Sequence, residues 1–301
     1  MGDYSFNGDM PTFNGIPMIG ARQDFSGSTW FVDNNYGSDG NSGKSWKKPF
    51  KTLNKAAVVN NLEFGAGGSN RWARRNTIYY AADTETADIT TIPQKCDVIG
   101  VGSYGGNERP GITGNHVPSN TGYGCRFINV RFVAPADASP IWTLAVGQGG
   151  TKFYNCDFVA TATTTIGIQA TGHSHLKVVG CRFYGAFVTS YITFGAGSAD
   201  EAEIVGNTML GSAAAGIVIP GTATATYGSI IKDNVIYAAG LCIDDDSNLF
   251  YVVGNECMST VSSPTDATLV EVIDSLVTRA TNNRVSSGDI ANAPYPVVDI
   301  S

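Results

Sequence analysis

The chain has 301 residues, of which 36 are glycine, and only 15 % are charged while 43 % are hydrophobic. Average proteins have ~7 % glycine and ~25 % charged residues, so this balance indicates a turn-dense β protein with a hydrophobic core. The formal net charge of −7 argues against a nucleic-acid-binding protein, which would need clustered Lys and Arg.

Residues 1–28 are predicted to form an extended arm. The segment has neither the basic start nor the apolar stretch of a signal peptide, and no apolar run in the chain is long enough to span a membrane, so we expect no Sec export and no membrane partner. Its apolar residues follow no period. Two interpretations stay open: a free terminus, or an arm that docks on a partner subunit or another protein through Phe6, Phe13, Ile16, Met18 and Ile19.

Residues 29–76 are predicted to form a cap of one strand, one helix and a loop. Pro49 suits the first turn of a helix running to Val59, and Phe50, Leu53, Ala56 and Ala57 would then share one face. That face would cover the open end of a solenoid. The loop that follows is basic and aromatic, and it either packs on the cap or binds an acidic partner or a sugar; its residues are Arg71, Trp72, Arg74 and Arg75.

Residues 77–290 contain an internal repeat, and residues 291–301 form a tail. One seven-residue pattern recurs with its fourth residue at 129, 155, 180, 206, 233, 254 and 282. A repeat of this length indicates stacked structural units, and its period-2 alternation of apolar residues indicates strands. We therefore predict an all-β parallel β-helix of about 7 to 9 coils.

Stacking the coils predicts columns of side chains that point inward. One column would hold Phe153, Val178, Ile204, Ile231, Val252 and Ala280. A second strand in each coil supplies a pair of apolar residues separated by one position; these pairs are Leu144 and Val146, Ile166 and Ile168, Ile192 and Phe194, Ile217 and Ile219, Leu241 and Ile243, and Val270 and Val272.

Polar residues at the turn of each coil predict further ladders. Asn207, Asn234, Asn255 and Asn283 would stack as an asparagine ladder. Cys156 and Cys181 take the same place earlier, either as packed thiols or as a disulfide, since adjacent rungs lie ~4.8 Å apart. One position on, Arg131, Asp157 and Arg182 predict an outward column of alternating charge, worth ~0.2 to 1 kcal/mol per pair.

Acidic residues offer the candidates for chemistry. Asp244, Asp245 and Asp246 follow Ile243, and Asp274 follows the next strand along the chain. Aligning these strands sets Asp245 beside Asp274, where the two could share Ca²⁺ or act as a catalytic acid and nucleophile. A solvated turn is the other interpretation.

Elsewhere the sequence predicts no cofactor. The cysteines and histidines lack metal-ligand spacing. Asp200, Glu201 and Glu203 occupy one turn with no clear partner on the adjacent coil, which predicts a wet surface.

The stretch from Phe31 to Val59, with its FVD, GSD and PFKTL motifs, resembles the opening of pectin-lyase-like right-handed β-helix proteins. Residues 76–80 and 96–114 look like that superfamily's first strand and first full coil, so the resemblance spans about residues 29 to 287. It implies the fold. It does not select a function, because the superfamily contains lyases, hydrolases, phage tailspikes, adhesins and noncatalytic virion proteins.

We expect a structural protein of a virus particle: a phage head decoration, a fibre or a small tailspike. It would be a homotrimer, would attach to capsid or tail proteins through its arm, and would have host polysaccharide as a further partner. Such a protein is assembled in the host cytoplasm and works outside the cell. The alternatives are a polysaccharide lyase or glycoside hydrolase, with the acidic candidates above as its site, and a cell-surface adhesin.

Overall fold

The chain forms a right-handed parallel β-helix, as the repeat predicts. The computed structural model describes residues 12–13, 16–17, 26–64, 74–83, 85–102, 109–135, 137–161, 164–224, 227–247, 250–259, 270–272, 280–281 and 284–287. Three parallel sheets, here called I, II and III, run along the solenoid, and most coils contribute one strand to each in that order.

Sheet I has ten strands in the spatial order of the chain: β3 (Ser26–Asp33), β4 (Arg75–Ala81), β6 (Cys96–Gly100), β8 (Arg126–Ile128), β11 (Lys152–Tyr154), β14 (Lys177–Val179), β18 (Glu203–Val205), β22 (Ser229–Lys232), β25 (Phe250–Val253) and β28 (Ala280–Thr281). Sheet II has nine: β5 (Glu85–Thr86), β7 (Gly111–Thr113), β9 (Arg131–Val133), β12 (Asp157–Ala160), β15 (Arg182–Gly185), β19 (Thr208–Gly211), β23 (Val235–Ala238), β26 (Glu256–Ser259) and β29 (Arg284–Ser287).

Sheet III has six strands: β10 (Trp142–Leu144), β13 (Ile166–Ala170), β16 (Ser190–Phe194), β20 (Ala215–Ile219), β24 (Ile243–Asp245) and β27 (Val270–Val272). Two short pairs lie outside these sheets: β1 (Thr12–Phe13) with β2 (Ile16–Pro17), and β17 (Gly197–Ser198) with β21 (Ala223–Thr224).

The core is a set of columns that run through the coils. The predicted column of sheet I is confirmed: Phe153 pairs in register with Val178, and the pairing continues rung by rung to Ala280. It extends toward the N-terminus through Phe127 and Val98. Stacked aromatic rings fill the first coils, with Phe127 over Phe153 at 5.5 Å and Phe158 over Phe183 at 4.5 Å between centroids. Each coil therefore buries its apolar face against the next.

In sheet III, three of the predicted inward pairs are wrong, because the observed pairs lie two residues further along or back in the chain. Trp142 pairs with Ile168, so the inward pair of β10 is Trp142 and Leu144, and Val146 is 76 % exposed. The inward pairs of β13 and β24 are Ile168 with Ala170 and Ile243 with Asp245. The physical reason is that a shift of two residues keeps the same side chains on the same face of a strand, so alternation alone does not specify register.

The helix of the cap begins later than predicted. Helix α1 spans Leu53–Leu62, and Thr52 is its N-cap, with Oγ1 accepting a hydrogen bond from Lys55 N at 3.2 Å. Phe50 lies before the helix in a bridge with Val32. Leu53, Ala56, Ala57 and Asn60 are buried. In the part of the chain that the structure describes, no helix is long and apolar enough to cross a bilayer.

A ladder of side-chain amides runs along one turn. Asn234 Nδ2 donates to Asn255 Oδ1 at 2.8 Å, and Asn207 Nδ2 donates to Asn234 Oδ1 at 2.9 Å. Cys181 N donates to Asn207 Oδ1, and Cys156 N donates to Cys181 Sγ, so the same pattern continues through the two thiols. All six cysteines are free and buried. Asn283 lies outside the described residues.

Candidate functional site

The predicted pairing of Asp245 with Asp274 is wrong. Asp245 stands opposite Val272 in the register of β24 and β27, because the alignment of sheet III is shifted by two residues. Its side chain is fully buried, accepting hydrogen bonds from Ser247 N at 3.0 Å and Phe250 N at 3.3 Å. Asp245 therefore holds its own turn together. Asp244 pairs with Glu271, Asp246 N donates to Ile219 O, and Asp274 lies outside the described residues.

Two of the four residues in the basic aromatic loop are described, and both bind the scaffold. Arg74 forms an ion pair with Glu63 at the end of α1, at 3.1 Å, and its guanidinium also donates to Ser28 Oγ. Arg75 binds Asp97 at 2.6 Å and donates to Gly124 O. These contacts favour packing on the cap for Arg74, whereas Arg75 binds the first coils. Arg71 and Trp72 lie outside the described residues.

The predicted column of alternating charge is confirmed by the register, in which Asp157 pairs with Arg131 and Arg182 on the neighbouring rungs, but Asp157 is fully buried and not exposed. Its carboxylate accepts from Arg109 Nη1 at 2.8 Å and, through both oxygens, from Arg182 at 2.8 and 2.7 Å. Arg109 is itself only 4 % exposed. Arg109, which lies 48 positions away in sequence, is buried with Asp157, whereas the side chain of Arg182 is 41 % exposed.

A concave surface lies along the turns that lead from sheet III back into sheet I. It is a cleft of about 590 Å³, here called the turn groove. Five lining positions on successive coils lack a side chain: Gly124, Gly147, Gly149, Gly150 and Gly172. The remaining lining residues are Tyr123, Val146, Lys152, Ser174, His175 and Ser198. The groove exists because the stacked glycines leave a floor of bare backbone.

Two side chains at the groove are suited to recognise a ligand. The ring of Tyr123 is 52 % exposed and lies beside Gly149. Lys152 follows in β11, between Arg126 and Lys177 on the neighbouring rungs. Arg126 pairs with Asp97 and Lys177 with Glu203, whereas Lys152 has no ion-pair or hydrogen-bond partner among the residues described. Partial burial, followed by the charges of Lys177 and Arg126, lowers the pKa of Lys152.

The pairing of Lys177 with Glu203 also corrects the prediction for the acidic turn at 200–203. Glu203 has a cationic partner one rung away. Asp200 accepts from Ser198 Oγ at 2.7 Å and from Tyr227 N at 3.1 Å, so it is held on both sides. Ser174 Oγ lies 2.7 Å from Ser198 Oγ. A hydrogen-bonded chain of two hydroxyls and a carboxylate therefore borders the groove.

One turn position recurs beside the groove with a left-handed backbone, here called the turn column: Lys95 (φ 44°), Gly124 (φ 71°), Gly150 (φ 74°), His175 (φ 62°) and Glu201 (φ 52°). A residue with a Cβ pays roughly 1–2 kcal/mol for this conformation. His175 Nε2 lies 3.4 Å from Glu201 Oε2, and both side chains are about half exposed. An exposed ion pair of this kind stabilises the folded state by only ~0–1 kcal/mol. This is less than the strain of the two left-handed residues that form it.

Sequence reasoning missed the turn groove altogether. Its residues lie about 25 positions apart, and of them only Lys152 belongs to the seven-residue pattern that reveals the coils. The signal that could have found it is the glycine at the same turn of two consecutive coils, Gly124 and Gly150, two residues before the strand of sheet I. Among the described residues, no three His, Cys, Asp or Glu side chains form a group that could hold a metal ion.

Comparison with known proteins gives few matches. No family model matches the chain, and no curated protein matches it. Among solved structures, pectate lyase Pel9A is similar with a TM-score of 0.41 and 12 % identity, over 86 % of this chain and 76 % of that one. A rhamnogalacturonan lyase is similar with a TM-score of 0.32 and 12 % identity, over 85 % of this chain and 87 % of that one. The parallel β-helix fold of this chain follows from its own three sheets.

Proposed function

We propose that the protein binds an extended, acidic polysaccharide along the turn groove. The observation that carries the proposal is the combination of an exposed aromatic ring, Tyr123, with an ammonium group that has no partner among the described residues, Lys152, over a floor of stacked glycines. Apolar sugar faces pack on aromatic rings, and an ammonium group binds carboxylate or sulfate.

The shape of the groove favours a polymer over a small ligand. Small molecules bind in enclosed, mostly apolar pockets, whereas this groove is open and crosses several rungs that repeat every ~4.8 Å. A chain of sugar rings that runs along the solenoid would meet a similar turn at each rung. Ser174 and Ser198 would lie beside the hydroxyl groups of the polymer.

Replacement of Tyr123 tests the groove directly. We expect Tyr123→Ala to weaken binding of an acidic polymer about tenfold, the equivalent of about 1.4 kcal/mol, because the stacking surface is lost. Isothermal titration with polygalacturonate, alginate and neutral dextran would measure it. Lys152→Gln should weaken binding of the two acidic polymers and reduce the sensitivity of that binding to salt.

The matched control is Tyr251→Ala, since Tyr251 has the same 52 % exposure but lies on β25 and does not line the groove. It should leave binding unchanged. Binding of none of the polymers to the wild type, or an equal loss in the Tyr251 variant, would contradict the proposal. Following the same mixtures for new unsaturated or reducing ends would detect lyase or hydrolase activity.

A second proposed role is structural, in a virus particle, with the arm as the attachment. The observation that favours it is the position of β3, the first strand of sheet I, at the edge of that sheet, so that the chain enters the solenoid at one end. Phe13 and Ile16 pair across β1 and β2, and Phe6, Met18 and Ile19 lie outside the described residues. Contact with capsid or tail proteins through this segment would leave the turn groove open to host polysaccharide.

Mass spectrometry and electron microscopy of virus particles, purified from lysates that contain the protein, should find the chain on the particle. Light scattering of the isolated protein should give a homotrimer, about three times the 31.6 kDa of one chain. Particles that lack the chain would contradict the structural role, and a monomer in solution would contradict the trimer.

A further inference from the structure

His175 and Glu201 keep side chains at a position where glycine is the unstrained choice. The same place in the turn column is glycine at Gly124 and Gly150. Space does not explain those glycines, since a Cβ there would meet no atom closer than 3.8 and 3.4 Å, respectively. The positive φ of these two residues explains why they are glycine, since glycine adopts this conformation without strain. At His175 and Glu201 the chain accepts the strain instead, and strained backbone is found where a side chain has a task.

The contacts within the protein do not supply that task. The imidazole and carboxylate meet at 3.4 Å with about half of each side chain in solvent, and such pairs contribute little to stability. His175 lines the turn groove. With Nε2 directed to Glu201, Nδ1 is the nitrogen left for a ligand, and it has no hydrogen-bond partner among the described residues.

We infer that His175 is a specificity-determining residue of the turn groove, hydrogen-bonding a sugar hydroxyl through Nδ1, and that Glu201 is its positioning residue. The inference rests on the proposed function, because it names what the same groove distinguishes. A neutral imidazole that donates from one nitrogen accepts at the other, and a sugar hydroxyl donates to it. Glu201 sets which nitrogen accepts.

The hydroxyl chain beside this pair completes the subsite. Ser174 Oγ and Ser198 Oγ both line the groove, and the second donates to Asp200 Oδ2. Asp200 O also accepts from His175 N at 2.6 Å, which ties the backbone of His175 to the same turn. A sugar with a hydroxyl in the right configuration would hydrogen-bond His175 and a serine together. Its epimer would hydrogen-bond only one of the two.

The test compares affinity and stability in the full chain. The probes are polygalacturonate and alginate, which carry one carboxylate per sugar but differ in hydroxyl configuration. We expect the wild type to prefer one of them, and His175→Gly to weaken that polymer about tenfold and bring the ratio of the two affinities close to one. Because glycine adopts the left-handed turn without strain, the melting temperature of His175→Gly should be equal to or above that of the wild type.

Glu201 and Lys95 provide the controls. Glu201→Gly should lower the affinity ratio without loss of melting temperature, and Glu201→Gln, which keeps an acceptor oxygen opposite Nε2, should hold the ratio to within about threefold of the wild type. Lys95→Gly changes the same turn position on a coil whose residue does not line the groove, and it should leave the ratio unchanged.

The outcomes separate the inference from the proposed function. Wild-type protein that binds neither polymer contradicts both. Wild-type protein that binds through Tyr123 but does not discriminate, or that keeps its discrimination in His175→Gly, contradicts the inference alone. A lower melting temperature with an unchanged affinity ratio would show that His175 serves only the fold.

Discussion

Asp157→Asn should destabilise the protein by about 3–5 kcal/mol, because it removes a fully buried carboxylate and leaves the buried guanidinium of Arg109 without this counter-ion. Arg109 is 4 % exposed and would keep its charge without this counter-ion. The asparagine amide has the shape of the carboxylate but turns an NH₂ group toward a guanidinium. Thermal unfolding should show a fall in the melting temperature of about 5–8 °C for a chain of this size.

Asp97→Asn is the matched control. Asp97 also lies between two arginines, Arg75 at 2.6 Å and Arg126 at 3.2 Å, but its side chain is 22 % exposed. Because the site is partly exposed, water can solvate the two guanidinium groups after the carboxylate is lost. We therefore expect the free energy of unfolding to fall by about 1 kcal/mol or less. Equal effects of the two substitutions would contradict the view that burial of Asp157 sets the cost.

Stability should fall by about 3 kcal/mol between pH 5 and pH 8 on account of Glu85. Burial is the main cause that raises the pKa of Glu85 to about 7, and the negative charge of Asp39 adds to it. The side chain of Glu85 is 1 % exposed, and the hydrogen bonds from Tyr80 and from Leu53 N at 3.3 Å, which lower the pKa, do not outweigh this burial. The folded state thus favours the protonated acid, and this contribution is complete below the unfolded pKa near 4.5 and lost as pH rises through about 7.

Glu85→Gln isolates this contribution from the other titrating groups. The glutamine stays neutral, so the difference in free energy of unfolding between wild type and variant should change by about 3 kcal/mol from pH 5 to pH 8, in favour of the variant at high pH. Chemical denaturation at a series of pH values would measure it. A difference that does not vary with pH would contradict the assignment.

The repeat alone predicted the solenoid, and particular residues show why. Phe153, Val178 and Ile204 stack as expected because each coil presents the same short pattern, and the pattern itself identifies equivalent positions in sheet I. Sheet III lacks such a landmark. Leu241 and Ile243 have the same alternation as Ile243 and Asp245, so only the hydrogen bonds between strands decide which pair points inward.

The candidate site depended on the tertiary structure to a greater degree. The sequence predicted Asp157 as a surface charge. In the structure it is buried against Arg109, which lies 48 positions away in sequence. The spacing of Tyr123, Lys152 and His175 in the sequence forms no recognisable motif. They line one groove because stacking places successive turns one rung apart. The sequence by itself therefore determined the coil and its core, because these repeat locally. Only the stacked structure decided the register, the buried charges and the turn groove, because each depends on contacts between coils.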